Sequence, residues 1–302
     1  MSKKAIVTGG AGFIGSHIVE QLVERGYDVH SVDTYVGGRY EDRFNPAATY
    51  HELDVRDTSF ADICEGADVV FHTAALPRVP YSIEHPRETA DANVMGTVAA
   101  LTSAVQGKVR RFVYSSSGSS YGNQTVMPLV ETMPAHPVNP YGAQKYAGEV
   151  FANLWSSVYP LETVSLRYFN VYGPRLDPNG PYALAIGRFL NARKNNTPIT
   201  IYGDGTVTRD FTHVRDVARA NILAAESEKV GKGETINIGA GRNVTINYLA
   251  SLFGGEVVYE APRIEAHDSL ADNTKAKELL GWTSETSLEE GILELQQLHG
   301  LV

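Results

Sequence analysis

Near its beginning, the chain passes from a short strand pattern through a turn with spaced glycines into a helical repeat. Residues 5–8 are mostly apolar and β-branched, and apolar residues then recur at helical spacing up to Gly26. The turn places a glycine at every third position, namely Gly9, Gly12 and Gly15. Such glycines permit a tight bend and close backbone approach to a pyrophosphate, whose charge the amides at the helix start attract. The sequence therefore predicts a strand, a dinucleotide-binding turn and a helix, with Phe13 and Ile14 in contact with the dinucleotide.

A second strand pattern, residues 27–32, ends on Asp33, which lies 33 − 9 = 24 residues after Gly9. An acid at about this spacing hydrogen-bonds the adenosine ribose in dinucleotide-binding proteins. Its charge would repel a 2′-phosphate, so Asp33 favours NAD over NADP as the cofactor. Two alternatives stay open, since the nearby Arg39 would suit a phosphate and Asp33 could be a plain turn residue after a strand.

Strand and helix patterns continue to alternate after Asp33. Further strand patterns cover residues 50–55, 67–72, 112–114 and 163–167. They have the apolar character of strands that are covered on both faces. This alternation predicts an α/β fold built on a doubly wound parallel (Rossmann) sheet. In such a sheet Asp54, with Val55 behind it, would meet the adenine, and the small Ala74 and Ala75 would let the backbone approach the dinucleotide.

Beyond Tyr168 the pattern changes, because proline, glycine and asparagine become dense as far as Pro181. Loop-rich sequence of this kind suits the binding of a substrate. We therefore expect a smaller C-terminal substrate-binding lobe beside the Rossmann domain. The Rossmann domain would comprise residues 1–167 with 208–236 returning to it, and the lobe residues 168–207 and 237–302.

A stretch in the middle of the chain carries the residues best suited to proton transfer. Three serines, residues 115–117, follow an apolar strand, and Pro140 suits the first turn of a helix that places Tyr141 and Lys145 one turn apart. An ammonium near a phenol lowers the phenol's pKa from about 10 toward neutrality, so Tyr141 is a candidate general base. Ser117 could bridge the phenol to a substrate alcohol during hydride transfer. The alternative is an ordinary surface tyrosine and lysine.

Charge and cysteine content exclude several classes of function. The formal net charge of −9 gives no electrostatic support for generic binding of nucleic acid or of an anionic membrane. The single cysteine, Cys64, allows neither an intramolecular disulfide nor a multi-cysteine metal site, and the nine histidines show no zinc-ligand spacing, so we expect no metal. Without a signal-peptide pattern or an apolar segment of membrane-spanning length, the sequence predicts a soluble cytoplasmic protein.

Taken together, these motifs resemble the extended short-chain dehydrogenase/reductase family, and within it the nucleotide-sugar 4-epimerase branch. The resemblance covers nearly the whole chain. It is carried by residues 8–15, 72–75, 93–97, 115–117, 141–145, 167–170, 209–210 and 271–282. It implies the Rossmann fold, NAD as the cofactor and a nucleotide sugar as the substrate.

The resemblance also assigns roles to positions. Tyr141 looks like the base, Lys145 like the residue that binds the nicotinamide ribose and tunes the phenol, and Ser117 like their hydroxyl partner. The implied cofactor contacts are Gly9, Gly12, Phe13, Ile14, Gly15, Asp33, Asp54, Val55, Ala74, Ala75, Asn93, Ser115, Tyr141, Lys145 and Tyr168. The implied substrate contacts are Ser117, Asn170, Arg209, Arg263 and Ser269. The loop at Arg263 is shorter than in the family and lacks its Gly-Asp pair, which makes His267 a rival phosphate donor.

The implied reaction inverts carbon 4 of a UDP-sugar or related nucleotide sugar through a 4-keto intermediate. Glucose and galactose are the implied sugars, and the small Ser269 leaves room for N-acetylated forms. A UDP-glucuronate 4-epimerase stays open as an alternative, as do dehydratases and decarboxylases, although these relatives usually carry acids where this chain has Gly-Ser-Ser at 118–120. A non-catalytic dinucleotide-sensing protein would lack Tyr141 and Lys145.

A homodimer is implied as well, because relatives pack the helices near residues 90–105 and 141–158 into a four-helix bundle. Small residues such as Ala99 permit this packing, and they equally permit burial within one chain. The second helix has an apolar stripe on a face away from Tyr141 and Lys145, made up of Ala143, Ala147, Val150, Phe151, Leu154 and Val158.

Overall fold

The computed structural model describes residues 2–177, 185–262 and 268–302. The strands are β1 (Lys4–Thr8), β2 (Asp28–Asp33), β3 (Thr49–Glu52), β4 (Ala67–His72), β5 (Arg111–Ser117), β6 (Glu162–Tyr168), β7 (Val171–Tyr172), β8 (Ile199–Tyr202), β9 (Thr208–Asp210), β10 (Thr212–His213), β11 (Lys232–Ile238), β12 (Asn243–Thr245) and β13 (Val257–Glu260). The α-helices are α1 (Phe13–Glu24), α2 (Phe60–Cys64), α3 (Val79–Glu84), α4 (Pro86–Ala90), α5 (Gly96–Gln106), α6 (Pro140–Val158), α7 (Ala185–Lys194), α8 (Val214–Glu226), α9 (Ile246–Phe253), α10 (Thr274–Leu280) and α11 (Leu288–Leu298). Short 3₁₀ turns cover Glu41–Arg43 and Gly118–Ser120, and a turn of π-helix, Asp91–Met95, joins α4 to α5.

Seven strands form one parallel sheet in the order β11-β6-β5-β4-β1-β2-β3. The strand order runs outward in both directions from the neighbours β1 and β4. At such a switch point the connections on either side leave a crevice beyond the carboxyl ends of the strands, where ligands bind. The predicted doubly wound parallel sheet is confirmed, and its crevice lies where the glycine turn follows β1.

Alternate side chains of the strands feed two hydrophobic clusters, one on each face of the sheet. Val7 belongs to the first cluster and its neighbour Ile6 to the second. Helices α1, α8 and α10 cover the first face, and α2, α5 and α6 cover the second. Cys64 is buried in the second cluster, where burial raises the pKa of its thiol to about 12. This double cover explains why the strand patterns are apolar throughout.

A third hydrophobic cluster lies among the elements that follow β6. It joins α7, α9 and α11 to β8, with Phe189, Leu249 and Ile292 fully buried in it. Three small sheets accompany it, in which β7 pairs with β10 and β8 with β13 in parallel, and β9 pairs with β12 in antiparallel fashion. After β10 the chain returns to the main sheet, because α8 packs beside α1 and β11 pairs with β6.

Helix α6 presents an apolar face to the outside and a polar face to the inside. Tyr146, Val150, Leu154 and Val158 repeat at every fourth position on its outer face and are 38 to 60% exposed. Its buried positions are Gly142, Gln144, Lys145, Gly148, Glu149 and Ala152. Much of the apolar stripe expected from the sequence therefore lies on the surface, and the reactive residues lie beneath.

Two kinds of feature are absent from the part of the chain that the structure describes. None of its helices is both long and apolar enough to cross a bilayer. Within the same ranges, no three histidine, cysteine, aspartate or glutamate side chains cluster so as to hold a metal ion.

Candidate active site

The glycine turn after β1 forms a cradle that a larger residue would fill. Gly9 has φ +69°, and a Cβ on it would lie 2.8 Å from the backbone nitrogen of Ala74. A Cβ on Gly15 would lie 2.1 Å from the carbonyl oxygen of Gly9. Helix α1 starts directly after Gly12 without a side-chain cap, so the amides of residues 13–15 point out of the helix end. The turn has the shape and the donors that a pyrophosphate needs.

Asp33 lies against this turn at the end of β2. Its two carboxylate oxygens accept hydrogen bonds from the backbone N–H groups of Ala11 and Tyr35, at 3.1 and 2.8 Å. Burial raises the pKa of the Asp33 carboxyl, while these N–H groups and the Arg43 charge favour its ionised form. The carboxylate is thus fixed beside the cradle, where the predicted contact with a ribose requires it.

The amide of Asn93 joins the loop after β4 to helix α6. Its Oδ1 accepts from the backbone N–H of Leu76 at 2.7 Å, and its Nδ2 donates to the Leu76 carbonyl at 3.0 Å and to Oε1 of Gln144 at 2.7 Å. The same loop contains Ala74 and Ala75, which are half-buried beside the glycine turn. Asn93 therefore fixes the backbone on which the predicted contacts at Ala74 and Ala75 depend.

Asp54 and Val55 follow β3, the edge strand of the main sheet. Arg56 donates from Nε and Nη2 to the two oxygens of Asp54, at 2.9 and 2.6 Å, and it also pairs with Asp91 in the π-helical turn. The hydrogen bonds from Arg56 lower the pKa of the Asp54 carboxyl. Val55 is buried in the second cluster. The guanidinium of Arg56 thus orients Asp54 and ties it to the turn that carries Asn93.

The start of α6 lies against the 3₁₀ turn that follows β5. A Cβ on Gly142 would come within 2.6 Å of the Ser119 carbonyl oxygen, so only glycine allows this approach. Ser117, the last residue of β5, uses its Oγ to accept from the Ser119 N–H at 3.1 Å. Tyr141 is half-buried in the first turn of α6. The close approach at Gly142 brings Tyr141 and Ser117 to the same end of the sheet.

Lys145 is buried on the inner face of α6, one turn after Tyr141. Its Nζ donates to the Ser115 carbonyl at 2.8 Å and lies 5.2 Å from the centre of the Tyr114 ring. Burial lowers the pKa of Lys145 to about 8, and the carboxylate of Glu149 acts in the opposite direction. An ammonium at this position favours ionisation of a nearby phenol.

Ser115 and Tyr168 face each other across β5 and β6. Their hydroxyl oxygens are 2.9 Å apart, and the Tyr168 hydroxyl donates to Oδ1 of Asn221 on α8 at 2.9 Å. Burial raises the pKa of Tyr168 to about 12, so this phenol stays neutral. The hydroxyls of these two predicted cofactor contacts are engaged within the protein and join β5, β6 and α8 below the crevice.

Three of the predicted substrate contacts meet at β9. Nδ2 of Asn170 donates to the Asp210 carbonyl at 2.8 Å and to Oγ of Ser269 at 3.3 Å. Oγ of Ser269 also accepts from the Asp210 N–H at 3.4 Å. Arg209, the residue before Asp210, donates from Nη1 to the Thr208 carbonyl at 3.0 Å. Asn170, Arg209 and Ser269 therefore share one corner of the molecule.

The carboxylate of Asp210 anchors that corner. It is fully buried and accepts hydrogen bonds from the backbone N–H groups of Ala240, Gly241 and Ala271, at 2.7, 3.1 and 3.0 Å. Burial raises the pKa of Asp210 to about 6, although the three N–H groups favour the charged form. Two further sequence predictions, Arg263 and its rival His267, lie outside the described residues.

Several polar residues that hold the reactive groups were not among the predicted site residues. Oγ of Ser82 accepts a hydrogen bond from the Tyr141 backbone N–H at 3.2 Å. Gln144 and Glu149 are buried on the inner face of α6. Only Glu149 had a usable signal, because it follows Lys145 by four residues and so shares its face of the helix. The other two depend on contacts between segments that are distant in sequence.

Comparison with known proteins places these features in a family context. The model of the NAD dependent epimerase/dehydratase family matches residues 5–239. Among curated proteins, a putative UDP-glucose 4-epimerase of Methanocaldococcus jannaschii is 40% identical to this chain over 95% of each sequence.

Solved structures give the same picture for the fold. The UDP-glucose 4-epimerase of Thermotoga maritima with UDP-glucose superposes with a TM-score of 0.92, at 39% identity and over 98% of each chain. The UDP-N-acetylglucosamine 4-epimerase of Methanobrevibacter ruminantium, in complex with UDP-N-acetylmuramic acid, has a TM-score of 0.93 at 33% identity over 100% of this chain and 99% of its own.

Proposed function

Since the chain belongs to the NAD dependent epimerase/dehydratase family, we propose that it is an NAD-dependent 4-epimerase that interconverts UDP-glucose and UDP-galactose. The observation that carries this proposal is the start of α6, where Gly142 lets Tyr141 and Lys145 approach the turn at Ser117. Similarity to proteins named UDP-glucose 4-epimerase over nearly the whole chain supports it. A structural neighbour named UDP-N-acetylglucosamine 4-epimerase supports N-acetylated sugars as further substrates.

The crevice fits NAD. The space at Gly9 and Gly15, which a Cβ would fill, admits a pyrophosphate close to the backbone, and the start of α1 directs its amides there. The fixed carboxylate of Asp33 suits the hydroxyls of a ribose and would repel a 2′-phosphate. Bound NAD⁺ supplies an acceptor for the hydride on carbon 4 of the sugar and, once reduced, the donor that returns it.

We assign the proton transfers to Tyr141. Its phenolate takes the proton of the sugar 4-hydroxyl as the 4-keto sugar forms, and returns it when the inverted hydroxyl is made. Lys145 stabilises the phenolate by its charge, and the Ser117 hydroxyl, at the end of β5, holds the sugar oxygen toward the phenol. Between the removal of the proton and its return, the keto sugar rotates in the pocket, so that its opposite face is presented to the cofactor.

We assign the nucleotide diphosphate to the smaller lobe, residues 168–207 and 237–302, together with β9. The Arg209 guanidinium suits a diphosphate by charge and by the geometry of its fork. Asn170 and Ser269 lie in the same corner as Arg209. The hydrogen bonds from three backbone N–H groups to the Asp210 carboxylate hold this corner together. A firm grip on the nucleotide lets the sugar reorient without leaving the protein.

We further propose a homodimer formed through the outer face of α6. The exposed Tyr146, Val150, Leu154 and Val158 make one apolar strip, and Met95 before α5 is 53% exposed as well. An apolar surface of this kind marks a protein interface. In a two-fold pair the same face meets itself, so α5 and α6 of two chains would form a four-helix bundle.

The activity is tested by incubating the purified protein with UDP-glucose and separating the products by chromatography. We expect UDP-galactose to form without added cofactor, and the denatured protein to release NAD(H). A panel with GDP- and dTDP-sugars, UDP-N-acetylglucosamine and UDP-glucuronate then defines the substrate range. Failure of the NAD-loaded protein to convert any UDP-sugar would contradict the proposal.

A further inference from the structure

A buried ion pair lies behind the proposed catalytic groups and takes no part in the chemistry described so far. Glu149 and Arg167 are each only 4% exposed. Arg167 donates from Nε and Nη2 to the two oxygens of Glu149, at 2.8 and 2.7 Å. Oγ of Ser116 donates a further hydrogen bond to Oε1 of the same carboxylate. Burying two charges costs so much desolvation energy that such a pair is weak evidence for a purely stabilising role.

The position of this pair connects it to the reactive residues. Ser116 and Arg167 are register partners on the neighbouring strands β5 and β6, so their side chains point to the same face of the sheet, where α6 packs. The adjacent Ser115 accepts a hydrogen bond from Lys145 through its carbonyl oxygen. Helix α6 is therefore bonded to the end of β5 at two points one turn apart, by Lys145 and by Glu149.

The charge of Glu149 matters for Lys145 as much as its bonds do. Burial lowers the pKa of Lys145 to about 8, and the Glu149 carboxylate opposes that effect. The other ionisable groups that face the two residues are Tyr114 on β5, His72 on β4, Arg167 on β6 and Tyr121 after β5. Burial keeps the two tyrosines and His72 neutral, since it raises the tyrosine pKa values and lowers that of His72 to about 3. Among these groups Glu149 supplies the charge that acts on the Lys145 ammonium, and Arg167 holds Glu149 in place.

We propose that Glu149, held by Arg167 and Ser116, is a positioning residue for the epimerase reaction: it fixes α6 in register with the end of β5 and keeps Lys145 charged one turn from Tyr141. This inference rests on the proposed function for its kinetic consequences only. Its electrostatic consequence concerns Lys145 and exists with or without turnover.

The test compares the parent with Glu149→Gln and Ser116→Ala, each as the NAD-loaded protein. In Glu149→Gln the amide keeps the shape but loses the charge and one acceptor oxygen, so kcat should fall about 10- to 100-fold with little change in the KM for UDP-glucose. The alkaline limb of the kcat profile should move to lower pH, because the buried ammonium loses its counter-charge. Ser116→Ala removes one hydrogen bond and should give a smaller loss of kcat.

A direct titration of Lys145 makes the inference independent of activity. With ¹³C-labelled lysine, the Lys145 signal is assigned by its loss in Lys145→Arg, and its pKa is read from the pH dependence of its chemical shift. We expect Glu149→Gln to lower this pKa by about one unit or more. If the parent proves inactive on UDP-sugars while this shift is seen, the proposed function fails and the electrostatic role of Glu149 stands.

Two further variants exclude a merely structural explanation. Asp68→Asn breaks the ion pair of Asp68 with Arg110, 2.8 Å long, at the opposite end of the same sheet, and should lower stability without moving kcat or the Lys145 titration. Glu149→Gln combined with Arg167→Gln leaves no unpaired charge, so it decides the question if the single variant does not fold. A folded Glu149→Gln or double variant with the kcat and Lys145 pKa of the parent overturns the inference.

Discussion

At the scale of single residues, the start of α6 shows how the proposed base is held in place. Pro140 has no N–H group, and the next two amides of the helix are paired from outside it. The N–H of Tyr141 donates to Oγ of Ser82 at 3.2 Å, and that of Gly142 to Oδ1 of Asn139 at 2.8 Å. Amides at a helix start have no partner within the helix, so these two bonds fix the backbone that carries the phenol.

Replacing this phenol by a phenyl ring should abolish most of the activity. We expect Tyr141→Phe to lower kcat about 10²- to 10⁴-fold, because only the oxygen that transfers the proton is lost. Bound NAD and the affinity for UDP should stay close to those of the parent. The measurements are the rate of UDP-galactose formation and the NAD content per chain.

Tyr146→Phe is the matched control, since it removes the same atom from the outer face of the same helix. It should leave turnover unchanged. Ser117→Ala should give a smaller but clear loss, because the phenol remains and only its bridge to the sugar is gone. Turnover by Tyr141→Phe equal to that of the control would exclude Tyr141 as the base.

Substrate range can be tested at Ser269, whose small side chain lies beside Asn170. We propose that this space receives the group on carbon 2 of the sugar, so the parent should interconvert UDP-N-acetylglucosamine and UDP-N-acetylgalactosamine. In Ser269→Tyr the added ring should lower kcat/KM for the acetylated pair at least about tenfold relative to UDP-glucose. The ratio of the two kcat/KM values is the measurement.

Ser251→Tyr adds the same ring at an exposed position on α9 and should not change that ratio. The rival explanation is that Ser269 serves only to accept the hydrogen bonds from Asn170 and Asp210. Absence of acetylated turnover in the parent, or an equal loss for both substrates in Ser269→Tyr, would favour that rival.

The part of the candidate site that follows from residue spacing alone is fixed by short-range geometry, whereas Asn170, Arg209 and Ser269 followed only from the family resemblance. The glycines at 9, 12 and 15 and the acid at Asp33 belong to one strand-turn-helix-strand unit, whose dimensions the covalent chain sets. The partners of Glu149 are different, because Arg167 and Ser116 meet it only after β5, β6 and α6 have packed. No spacing in the sequence records that contact.

At the scale of secondary structure, α6 shows what a helical pattern leaves undecided. Its sequence predicts an apolar stripe and a separate face with Tyr141 and Lys145, and the helix starts at Pro140 as predicted. Periodicity does not tell which face is buried. The polar face is the inner one here because Lys145 and Glu149 find partners on the sheet, whereas Val150 and Leu154 face outward.

The segment before α5 contains a feature that the periodicity of the sequence does not predict. The sequence predicts a single helix over residues 90–105, whereas in the structure α4, a π-helical turn and α5 follow one another. The extra residue in the wider turn has no periodic signature. The turn carries Asn93, whose amide reaches both Leu76 and Gln144.

The carboxyl end of α8 is held by a buried arginine on β5. Arg111, buried on β5, donates to the carbonyls of Ala224, Ala225 and Ser227 at the end of the helix and to that of Val230, at distances between 2.6 and 3.0 Å. In Arg111→Met the carbonyls of Ala224, Ser227 and Val230 lose this donor, whereas that of Ala225 keeps a hydrogen bond from Arg110. The ion pair of Arg111 with Glu162 is lost as well, so the free energy of unfolding should fall by about 3 kcal/mol. A urea titration measures it.

The comparison for this variant is Arg242→Met, which removes an exposed arginine paired with Glu289 at 2.9 Å. Pairs at the surface contribute about 0 to 1 kcal/mol, so the change should be small. Equal losses in the two variants would show that the carbonyl bonds of Arg111 do not stabilise the end of α8.

At the scale of the whole molecule, the outer face of α6 predicts the state of assembly. We expect the parent to sediment as a dimer and Leu154→Glu to sediment as a monomer, because a two-fold interface would bring the new charges close together in an apolar setting. Analytical ultracentrifugation at several protein concentrations measures the change.

Leu298→Glu serves as the control, since Leu298 on α11 is 62% exposed against 48% for Leu154. It adds the same charge away from the proposed interface and should leave the dimer intact. A parent that is monomeric at all concentrations, or dimers in both variants, would contradict the proposed interface.

The alternation of patterns predicted the sheet as a whole, but the neighbour of β6 comes from far along the chain. Strand β11 starts 232 − 168 = 64 residues after β6 ends, and β7, β8, β9, β10 and α8 lie between the two strands in the chain. Sequence order alone does not set this pairing, which depends on α8 packing back beside α1. The sheet is thus completed by a strand that follows the first segment of the smaller lobe, residues 168–207.

That late pairing has a consequence for how the protein is made. During synthesis from the amino terminus, β6 is finished 238 − 168 = 70 residues before β11. At about 5 to 20 residues per second, the ribosome needs about 4 to 14 seconds to supply the missing strand. Throughout that interval the nascent chain carries an open sheet edge whose unpaired amides and carbonyls can capture a strand from another chain. A translation product that ends between β6 and β11 never acquires the missing strand, so premature termination in this interval yields aggregates and a demand for chaperones.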